Sequence, residues 1–429
     1  MTGHRPPPAG RAALLAWCFY DWANSAFPTV ITTFVFSAYF VRAVAPDPTT
    51  GTAAWGHAMA VAGIATAIAS PLLGAIADRS GRRKPWIGLF TLVSVVAGGL
   101  LWFVKPDPAY MLTGLVLAAV ASLAFEVATV FYNAMLPDLV PPDRLGRWSG
   151  WAWGIGYAGG LACLVVALVG LVMTDTPWFG LDKGAAEHVR AVAPLTAIWF
   201  ALFSIPLFLL TPDRPATGVA PGAAVRAGAA ELWRTLRHLP REATIARFLA
   251  ARLFYTDALN TLFAFGGIYA AGTFGMGFDE VILFGIALNV TAGAGAAAFA
   301  WIDDLIGPKR TIQIAIAGLV ACGLAVLLVE AKAWFWAFGL ALGIFVGPAQ
   351  AASRTLMAHL APPDRESEMF GLFALSGKIT AFMGPAALAW ATLAFDSQRA
   401  GMATILVFFA IGFAILATVR VEPGKYTVA

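Results

Sequence analysis

Long apolar runs separated by short polar stretches follow one another along the whole chain. Two of these runs, 12–41 and 108–137, contain one acid each, Asp21 and Glu126. A helix of about 20 apolar residues spans a bilayer and pairs its own backbone groups, as lipid requires. The pattern therefore predicts an all-α membrane protein with twelve transmembrane helices. The ten runs without Asp, Glu, Lys or Arg are 53–77, 85–104, 148–174, 191–212, 258–278, 281–302, 311–329, 333–353, 379–395 and 400–419.

The composition agrees with this pattern. Hydrophobic residues make up 59% of the 429 residues and charged residues 12%, against about 25% charged residues in soluble domains. The first apolar run is longer than that of a signal peptide, and no small-residue cleavage site follows it, so we expect no cleaved signal. Cys18, Cys163 and Cys322 fall in separate runs, which favours buried apolar side chains over a disulfide or a metal site.

Basic residues are divided unequally between the two sides of the predicted membrane. If both chain ends share one side, 20 Lys and Arg residues, Arg354 among them, fall on that side and 6 on the other, whereas the acids divide 12 to 9. Cytoplasmic loops of membrane proteins are rich in Lys and Arg. We therefore expect a multi-pass protein of the plasma (inner) membrane with both termini in the cytoplasm. This orientation explains the net charge of +4 without nucleic-acid binding.

The longest polar interruption, roughly 213–247, separates two sets of six predicted helices. Its segment AAELWRTLRHL predicts a short amphipathic helix, with leucines and Trp233 on one side and Arg234 and Arg237 on the other. We expect such a basic helix to lie on the inner face of the membrane. The predicted units are an N-terminal six-helix bundle at 1–211, a cytoplasmic linker at 212–244 and a C-terminal six-helix bundle at 245–429.

Two polar motifs occur once in each half. Pro-Pro-Asp-Arg follows the fourth predicted helix at 141–144 and the tenth at 362–365. Asp78 after the second helix and Asp304 after the eighth are each followed three residues later by a glycine and then by basic residues. Matching motifs at matching helices predict two pseudo-symmetric bundles of the same orientation, which is an arrangement of secondary transporters.

The segment GAIADRSGRRKPW, at 74–86, resembles the signature loop between helices 2 and 3 of the major facilitator superfamily. Gly74 permits close approach of a neighbouring helix. Asp78 ends a helix whose dipole disfavours an acid there, so it needs a cation or the N-terminus of a helix from the other half. The resemblance implies a cytoplasmic gate between the halves; alternatively, the bases only set the topology. The candidate gate residues are Gly74, Asp78, Arg79, Gly81, Arg82, Arg83 and Asp304.

Four further stretches resemble one branch of that superfamily, the fungal autophagy-related vacuolar amino-acid effluxer and its bacterial relatives. The resemblance extends from the first to the eleventh predicted helix. It implies a central cavity lined by helices 1, 4, 7 and 10, and it suggests export of small amino acids. The stretches are FYDWANSAFPTVITTFVF, VFYNAMLPDL, LFYTDALNTLFAFGGIYAAGTFG and GPAQAASRTLMAHLAPPDRESEMFGLFALSGKITAFMGP.

Ionisable residues within the predicted helices identify a candidate transport path. An isolated charge at the bilayer centre costs about 2.5–3.5 kcal/mol, so such groups normally face one another or a water-filled cavity. The alternative is an ion-pair network that only braces the helices. These residues are Asp21, Glu126, Arg252, Asp257 and Lys378.

Asp21 and Asn24 are three residues apart and share a helix face, and Asp257 and Asn260 repeat this pair in the second half. We expect the two faces to meet across the cavity and to suit an ammonium or a polyhydroxy solute. Lys378 would counter one of these carboxylates or bind a carboxylate of the substrate.

Glu126 has no base near it in sequence, and a buried acid tends to hold its proton. We therefore select Glu126 as the candidate for proton coupling, with the alternative that it pairs with Arg252 or Lys378. Arg252 lies near the inner end of its helix, so we expect its side chain to extend to the membrane interface.

Other polar residues complete the candidate cavity, although each can equally serve a helix–helix hydrogen bond. The sequence has no nucleophile–base spacing, phosphate loop or metal-ligand cluster, so we expect no enzyme activity, no cofactor and no metal. The polar residues that complete the candidate cavity are Tyr20, Tyr132, Asn133 and Gln350.

We interpret the chain as a secondary active transporter that moves a small polar solute by alternating access, with an amino acid as the leading candidate. Its expected partners are the solute, the bilayer and protons, and we expect a monomer. The alternatives are a sugar or drug exporter of the same fold, or a membrane receptor or scaffold that does not transport. The gate motif in both halves argues against the last, since a static scaffold needs no gate.

Overall fold

The computed structural model describes residues 9–239 and 242–421. Arg5, Arg241 and Lys425, which we expected on the cytoplasmic side, lie outside the described residues. Long helices make up most of the described chain, and we number them in chain order. They are α1 (Arg11–Val44), α2 (Pro48–Ser80), α3 (Lys84–Phe103), α4 (Pro108–Leu139), α5 (Pro142–Val172), α6 (Glu187–Leu210), α7 (Ala243–Phe274), α8 (Phe278–Ile306), α9 (Pro308–Leu328), α10 (Lys332–Leu360), α11 (Glu366–Phe395) and α12 (Gln398–Ala417).

Eleven of these helices in the described ranges are long and apolar enough to cross a membrane. The helix outside that set, α7, has 32 residues but contains Arg252, Asp257 and Asn260 within its length. The prediction of helical spans is therefore right for eleven, and the count of twelve stays a prediction.

Three predicted helices have the wrong bounds. The run 258–278 corresponds to α7, which begins at Ala243, and the run 333–353 corresponds to α10, which continues to Leu360. The run 379–395 is only the second part of α11, which begins at Glu366. The residues that mark the predicted bounds are Asp257, Arg354 and Lys378. The helices continue past them because these charged side chains have partners inside the protein instead of facing lipid.

Two helices are interrupted near the middle of the molecule. α1 turns at Ser25 and is π-helical from Phe27 to Phe34, where Pro28 removes a backbone donor. α11 is broken between Lys378 and Met383. Interruptions of this kind occur in membrane proteins where the backbone lines a cavity.

The two halves meet through α2 against α11 and α5 against α8. Glycines allow these helices to approach each other closely. A Cβ on Gly74 of α2 would overlap the backbone of Ser367 in α11, and one on Gly150 of α5 would lie 2.6 Å from the carbonyl oxygen of Ala296 in α8. The repeat of this contact agrees with the predicted pseudo-symmetry.

The segment between α6 and α7 contains one helix, Pro221–His238, which we call the linker helix. It packs along the end of α2, where Gly228 lies against the backbone of Ile76. Trp233 is 69% exposed on its outer side. We call the side of the molecule that carries this helix the linker face.

Candidate functional site

A cavity of about 420 Å³ lies between the halves. α1, α4 and α5 line it from one side, and α7, α10 and α11 from the other. A second cavity of about 460 Å³ shares Glu126, Asn260 and Lys378 with it. The second cavity also has Met59 and Ser122 in its lining, and these lie toward the helix ends opposite the linker face. The charged side chains that line the first cavity are Asp21, Glu126, Arg252, Arg354 and Lys378.

Asp21 and Arg354 form an ion pair that joins the halves. The Nη1 atom of Arg354 lies 3.0 Å from Oδ2 of Asp21, and the two side chains are 3% and 12% exposed. Arg354 also donates to Oγ and the carbonyl of Ser149, at 2.9 and 2.7 Å, and to Oδ1 of Asn133 at 3.2 Å. The hydroxyl of Tyr132 donates to Asp21 at 2.9 Å.

Arg354 is a residue that our sequence analysis assigned wrongly to the cytoplasmic loops. Its guanidinium lies 5.0 Å from the ring of Trp17 and 5.8 Å from those of Tyr132 and Trp153. Rings in these positions stabilise a buried cation. The sequence repeat indicated that Arg354 belongs to the cavity. The shift that aligns the two Pro-Pro-Asp-Arg motifs also aligns Arg354 with Asn133, a predicted cavity residue.

Glu126 and Lys378 form a second ion pair between the halves, with Nζ 2.7 Å from Oε1. Their side chains are 30% and 32% exposed, so both remain accessible from the cavities. Lys378 is the last residue of the first part of α11, and the negative end of that helix dipole favours a cation there. Of the two alternatives for Glu126, the structure has the acid paired with Lys378.

Arg252 does not extend to the membrane interface as expected. Its Nη1 donates to the carbonyl of Phe373 and to Oγ of Ser376, and the guanidinium lies 3.5 Å from the centre of the Phe373 ring. The side chain lines the cavity beside Gly377, where a Cβ would lie 2.8 Å from Nη1. The contacts with α11 hold this cation inside the protein.

Asp257 does not line the cavity, so the two Asp/Asn faces do not meet as predicted. Its Oδ2 accepts a hydrogen bond from the backbone N–H of Gly384 at 2.8 Å, at the start of the second part of α11. The break in α11 leaves this N–H without a partner in its own helix, and Asp257 caps it. Asn260, in contrast, does line the cavity.

Tyr20 and Tyr132 lie behind the cavity wall. Tyr20 is fully buried and shares a 2.7 Å hydrogen bond with Thr91, and its ring stacks on that of Tyr132. Tyr132 contacts the site through its hydroxyl on Asp21 and through its ring, which lies 5.8 Å from the guanidinium of Arg354. Neither ring is in the lining, so both position other residues. The amides that do line the cavity are Asn24, Asn133, Asn260 and Gln350.

On the linker face, Asp78 holds the N-terminus of α11. Its carboxylate accepts hydrogen bonds from the backbone N–H groups of Ser367 and Glu368 at 3.1 and 2.8 Å. An acid at a helix N-terminus is stabilised by about 0.3–1 kcal/mol, and more where it is buried. Of the two partners expected for Asp78, the structure provides mainly the helix N-terminus, with Arg83 farther off at 3.9 Å.

Asp304 makes the corresponding contact in the other half. It accepts a hydrogen bond from the backbone N–H of Arg147 at 3.0 Å, in the first turn of α5. Arg147 and Glu368 stand at equivalent places after the two Pro-Pro-Asp-Arg motifs. Gly146 completes the contact, since a Cβ there would lie 2.6 Å from that of Asp303. The linker face is therefore closed by two equivalent latches.

Arg83 is the centre of a buried network behind the first latch. It is 1% exposed and pairs with Asp138 of its own half and with Glu366 of the other half at 3.0 Å. Arg214 binds the same two acids at 2.6 and 2.8 Å. Burial opposes the charge of Arg214, but its bonds to Asp138 and Glu366 outweigh burial and raise the pKa of its guanidinium. Asp138, Glu366 and Arg214 were not among the gate residues predicted from the sequence.

The remaining gate candidates differ in their surroundings. Arg79 pairs with Glu231 of the linker helix at 2.6 Å, and Arg82 is exposed. Gly81 ends α2 with a φ of 85°, a value that favours glycine. Glu231 also lies 3.8 Å from Arg365, at the start of α11. The linker helix thus contacts both halves.

Known proteins resemble this chain over almost all of its length. A family model described as "Vacuole effluxer Atg22 like" matches residues 49–147 and 142–429. The MFS-type transporter YxiO of Bacillus subtilis is 26% identical over 95% of this chain and 94% of its own. Autophagy-related protein 22 of Cryptococcus neoformans is 25% identical over 65% of this chain, which covers 53% of that protein.

Solved structures show the same fold. The proton:xylose symporter XylE superimposes with a TM-score of 0.71 over 95% of both chains, at 13% identity. The human organic anion transporter MFSD10 gives a TM-score of 0.74 over 96% of this chain and all of its own, at 14% identity. The predicted major facilitator fold is confirmed.

Proposed function

Because the chain belongs to the Atg22-like family of membrane transporters within the major facilitator superfamily, we propose that it moves a small polar solute by alternating access. Amino acids are the leading class of solute. The solute would bind in the cavity between the halves, with Asp21, Glu126 and Lys378 among its contacts. Asn24 and Asn260 would supply neutral hydrogen bonds there.

The observation that supports this proposal best is the pairing inside the cavity. Asp21 and Glu126 belong to the first half, whereas their partners Arg354 and Lys378 belong to the second. A rocking motion that separates the halves on the linker face would strain or break these pairs. Groups released in this way can bind the carboxylate and the ammonium of an amino acid, and so couple binding to the motion.

We propose Glu126 for proton coupling, because it lines both cavities and is 30% exposed. A proton on Glu126 would remove the charge that holds Lys378 and would leave that ammonium free for a substrate carboxylate. The Glu126→Gln variant, which mimics the protonated acid, should then exchange solute without a proton gradient. Proton-driven uptake by the variant at the normal rate would contradict this role.

We place the protein in the plasma membrane with the linker face toward the cytoplasm, as the distribution of basic residues favours. The family description names an effluxer, so export is the direction that we propose. The latches on the linker face are closed, and the cavity that contains Met59 and Ser122 extends toward the other face. With the linker face in the cytoplasm, this conformation with closed latches is the one from which an exported solute would be released.

The experiment is counterflow of labelled amino acids in proteoliposomes. We expect Asp21→Asn and Lys378→Ala to abolish exchange while the proteins stay folded in detergent. Lys105→Ala, which removes an exposed cation outside the cavity, should exchange at the normal rate. Undiminished exchange by both cavity variants would refute the role of these residues. Absence of exchange in the wild type with every amino acid tested would refute the class of solute.

A further inference from the structure

The charges around the central cavity do not balance. Two acids and three bases line it, and each acid is paired with one base. Arg252 is the base left over, because within residues 9–239 and 242–421 it forms no ion pair with a carboxylate. A guanidinium keeps its charge at any physiological pH, so this excess positive charge cannot be removed by loss of a proton.

The contacts of Arg252 are neutral and incomplete. The carbonyl of Phe373, Oγ of Ser376 and the Phe373 ring surround the guanidinium. Its Nε is buried and has no hydrogen-bond partner among the residues that the structure describes. A buried charge without a counter-charge is costly, and a guanidinium presents donors that match the two oxygens of a carboxylate. The missing partner is therefore an anion with that geometry.

The surroundings of Arg252 keep this cation close to the paired lysine. Gly377 leaves room for the guanidinium, since a Cβ would lie 2.8 Å from Nη1, and Lys378 is the next residue. Thr256, one turn along α7, also lines the cavity. A solute that reaches Arg252 is thus within the same cavity as the Glu126–Lys378 pair.

We propose that the solute carries net negative charge and that Arg252 binds its carboxylate. The inference rests on the proposed function and narrows its class of solute, from amino acids in general to acidic ones such as aspartate and glutamate. A neutral zwitterion leaves the cavity with one excess positive charge, whereas an acidic amino acid neutralises it. Arg252 is then the residue that determines specificity, separate from the pairs that respond to the motion.

Amino acids that differ only in charge provide the test. Binding of aspartate, asparagine, glutamate and glutamine to the purified full-length protein is measured by calorimetry, with succinate and glutarate as carboxylates that lack the amino group. We expect each acid to bind at least about tenfold more tightly than its amide, the lower end of the contribution of a hydrogen bond to a charged group. Equal or tighter binding of the amides would overturn the inference and leave the proposed function intact.

Variants then assign the preference to Arg252. Arg252→Gln should lose the preference for acid over amide but still bind the amides, and Arg252→Lys should retain part of it. Persistence of the full preference in Arg252→Gln would overturn the role of Arg252. If that variant does not fold, Gly377→Ala displaces the guanidinium and should reduce the same ratio, and an unchanged ratio there would overturn the role.

The ligands also separate this inference from the proposed function. Succinate and glutarate that bind as tightly as the acidic amino acids would support a carboxylate at Arg252 but refute amino acids as the class of solute. Failure of all six ligands to bind would overturn the inference, whereas the proposed function is decided separately by counterflow of the other amino acids.

Discussion

The ion pair between Asp21 and Arg354 offers a quantitative test of how the linker face is held closed. The Coulomb attraction of unit charges 3.0 Å apart is about 5 kcal/mol at an effective dielectric constant of about 20. Loss of one partner of a buried pair typically costs about 3–5 kcal/mol, because the other charge is left uncompensated. Arg354 retains Ser149 and Asn133 as partners, so we expect a coupling energy of about 2–3 kcal/mol.

This energy should act on the equilibrium between the closed and open linker face, since the two residues belong to different halves. At about 1.4 kcal/mol per tenfold change, either Asp21→Asn or Arg354→Gln should increase opening by roughly 30- to 150-fold. The double variant should open less than the sum of the two single effects predicts, because it leaves no unpaired charge.

Hydrogen exchange measures this opening directly. The backbone N–H groups of Glu368 and Arg147 are protected by Asp78 and Asp304 only while the linker face is closed. Their exchange should accelerate in the single variants and recover in the double variant, while amides in the middle of α9 serve as the control. Exchange at the wild-type rate in both single variants, or strictly additive effects in the double variant, would refute the reasoning.

Two further predictions concern the contacts on the linker face. Gly74→Val should prevent closure and abolish transport, because its side chain would overlap the backbone of Ser367. Gly56→Val on the same helix should have little effect, since its Cβ would meet nothing within 4 Å. Equal transport by the two variants in proteoliposomes would contradict this prediction. Glu231→Gln should weaken the attachment of the linker helix, because it removes the ion pairs of Glu231 with Arg79 and Arg365. Since these pairs are partly exposed, the effect should stay below about 1 kcal/mol. Protease cleavage in the linker should then increase by up to about fivefold, and cleavage at the wild-type rate would show that the contact is without effect.

Most of the fold could be predicted from the sequence, because lipid imposes a simple rule on helices that it surrounds. The rule fails where a helix faces protein or a cavity. Asp257, Arg354 and Lys378 mark the three wrong bounds. Arg354 and Lys378 line the cavity, and Asp257 caps the second part of α11. The length of a charge-free run reflects contact with lipid, so two of the three errors in helix length fall at residues that line the cavity.

The candidate site was predicted less completely. Asp21, Glu126 and Lys378 were identified by their positions within predicted transmembrane helices, and all three line the cavity. Their partners lie 333 and 252 residues away along the chain, so no local pattern could assign them. Asp257 was misplaced by pseudo-symmetry, because the break in α11 provides a free N–H at Gly384 that the equivalent position of the first half does not match.

The distribution of charge between the halves has a consequence for the mechanism. The first half contributes both acids to the cavity, Asp21 and Glu126, and the second contributes all three cations. The halves therefore attract each other through the site even when it holds no solute, which favours the closed linker face. A solute that carries a carboxylate can replace an acid as the partner of a cation and weaken this attraction. Binding would then lower the barrier to opening, whereas a solute without a carboxylate has no group that can replace an acid in this way.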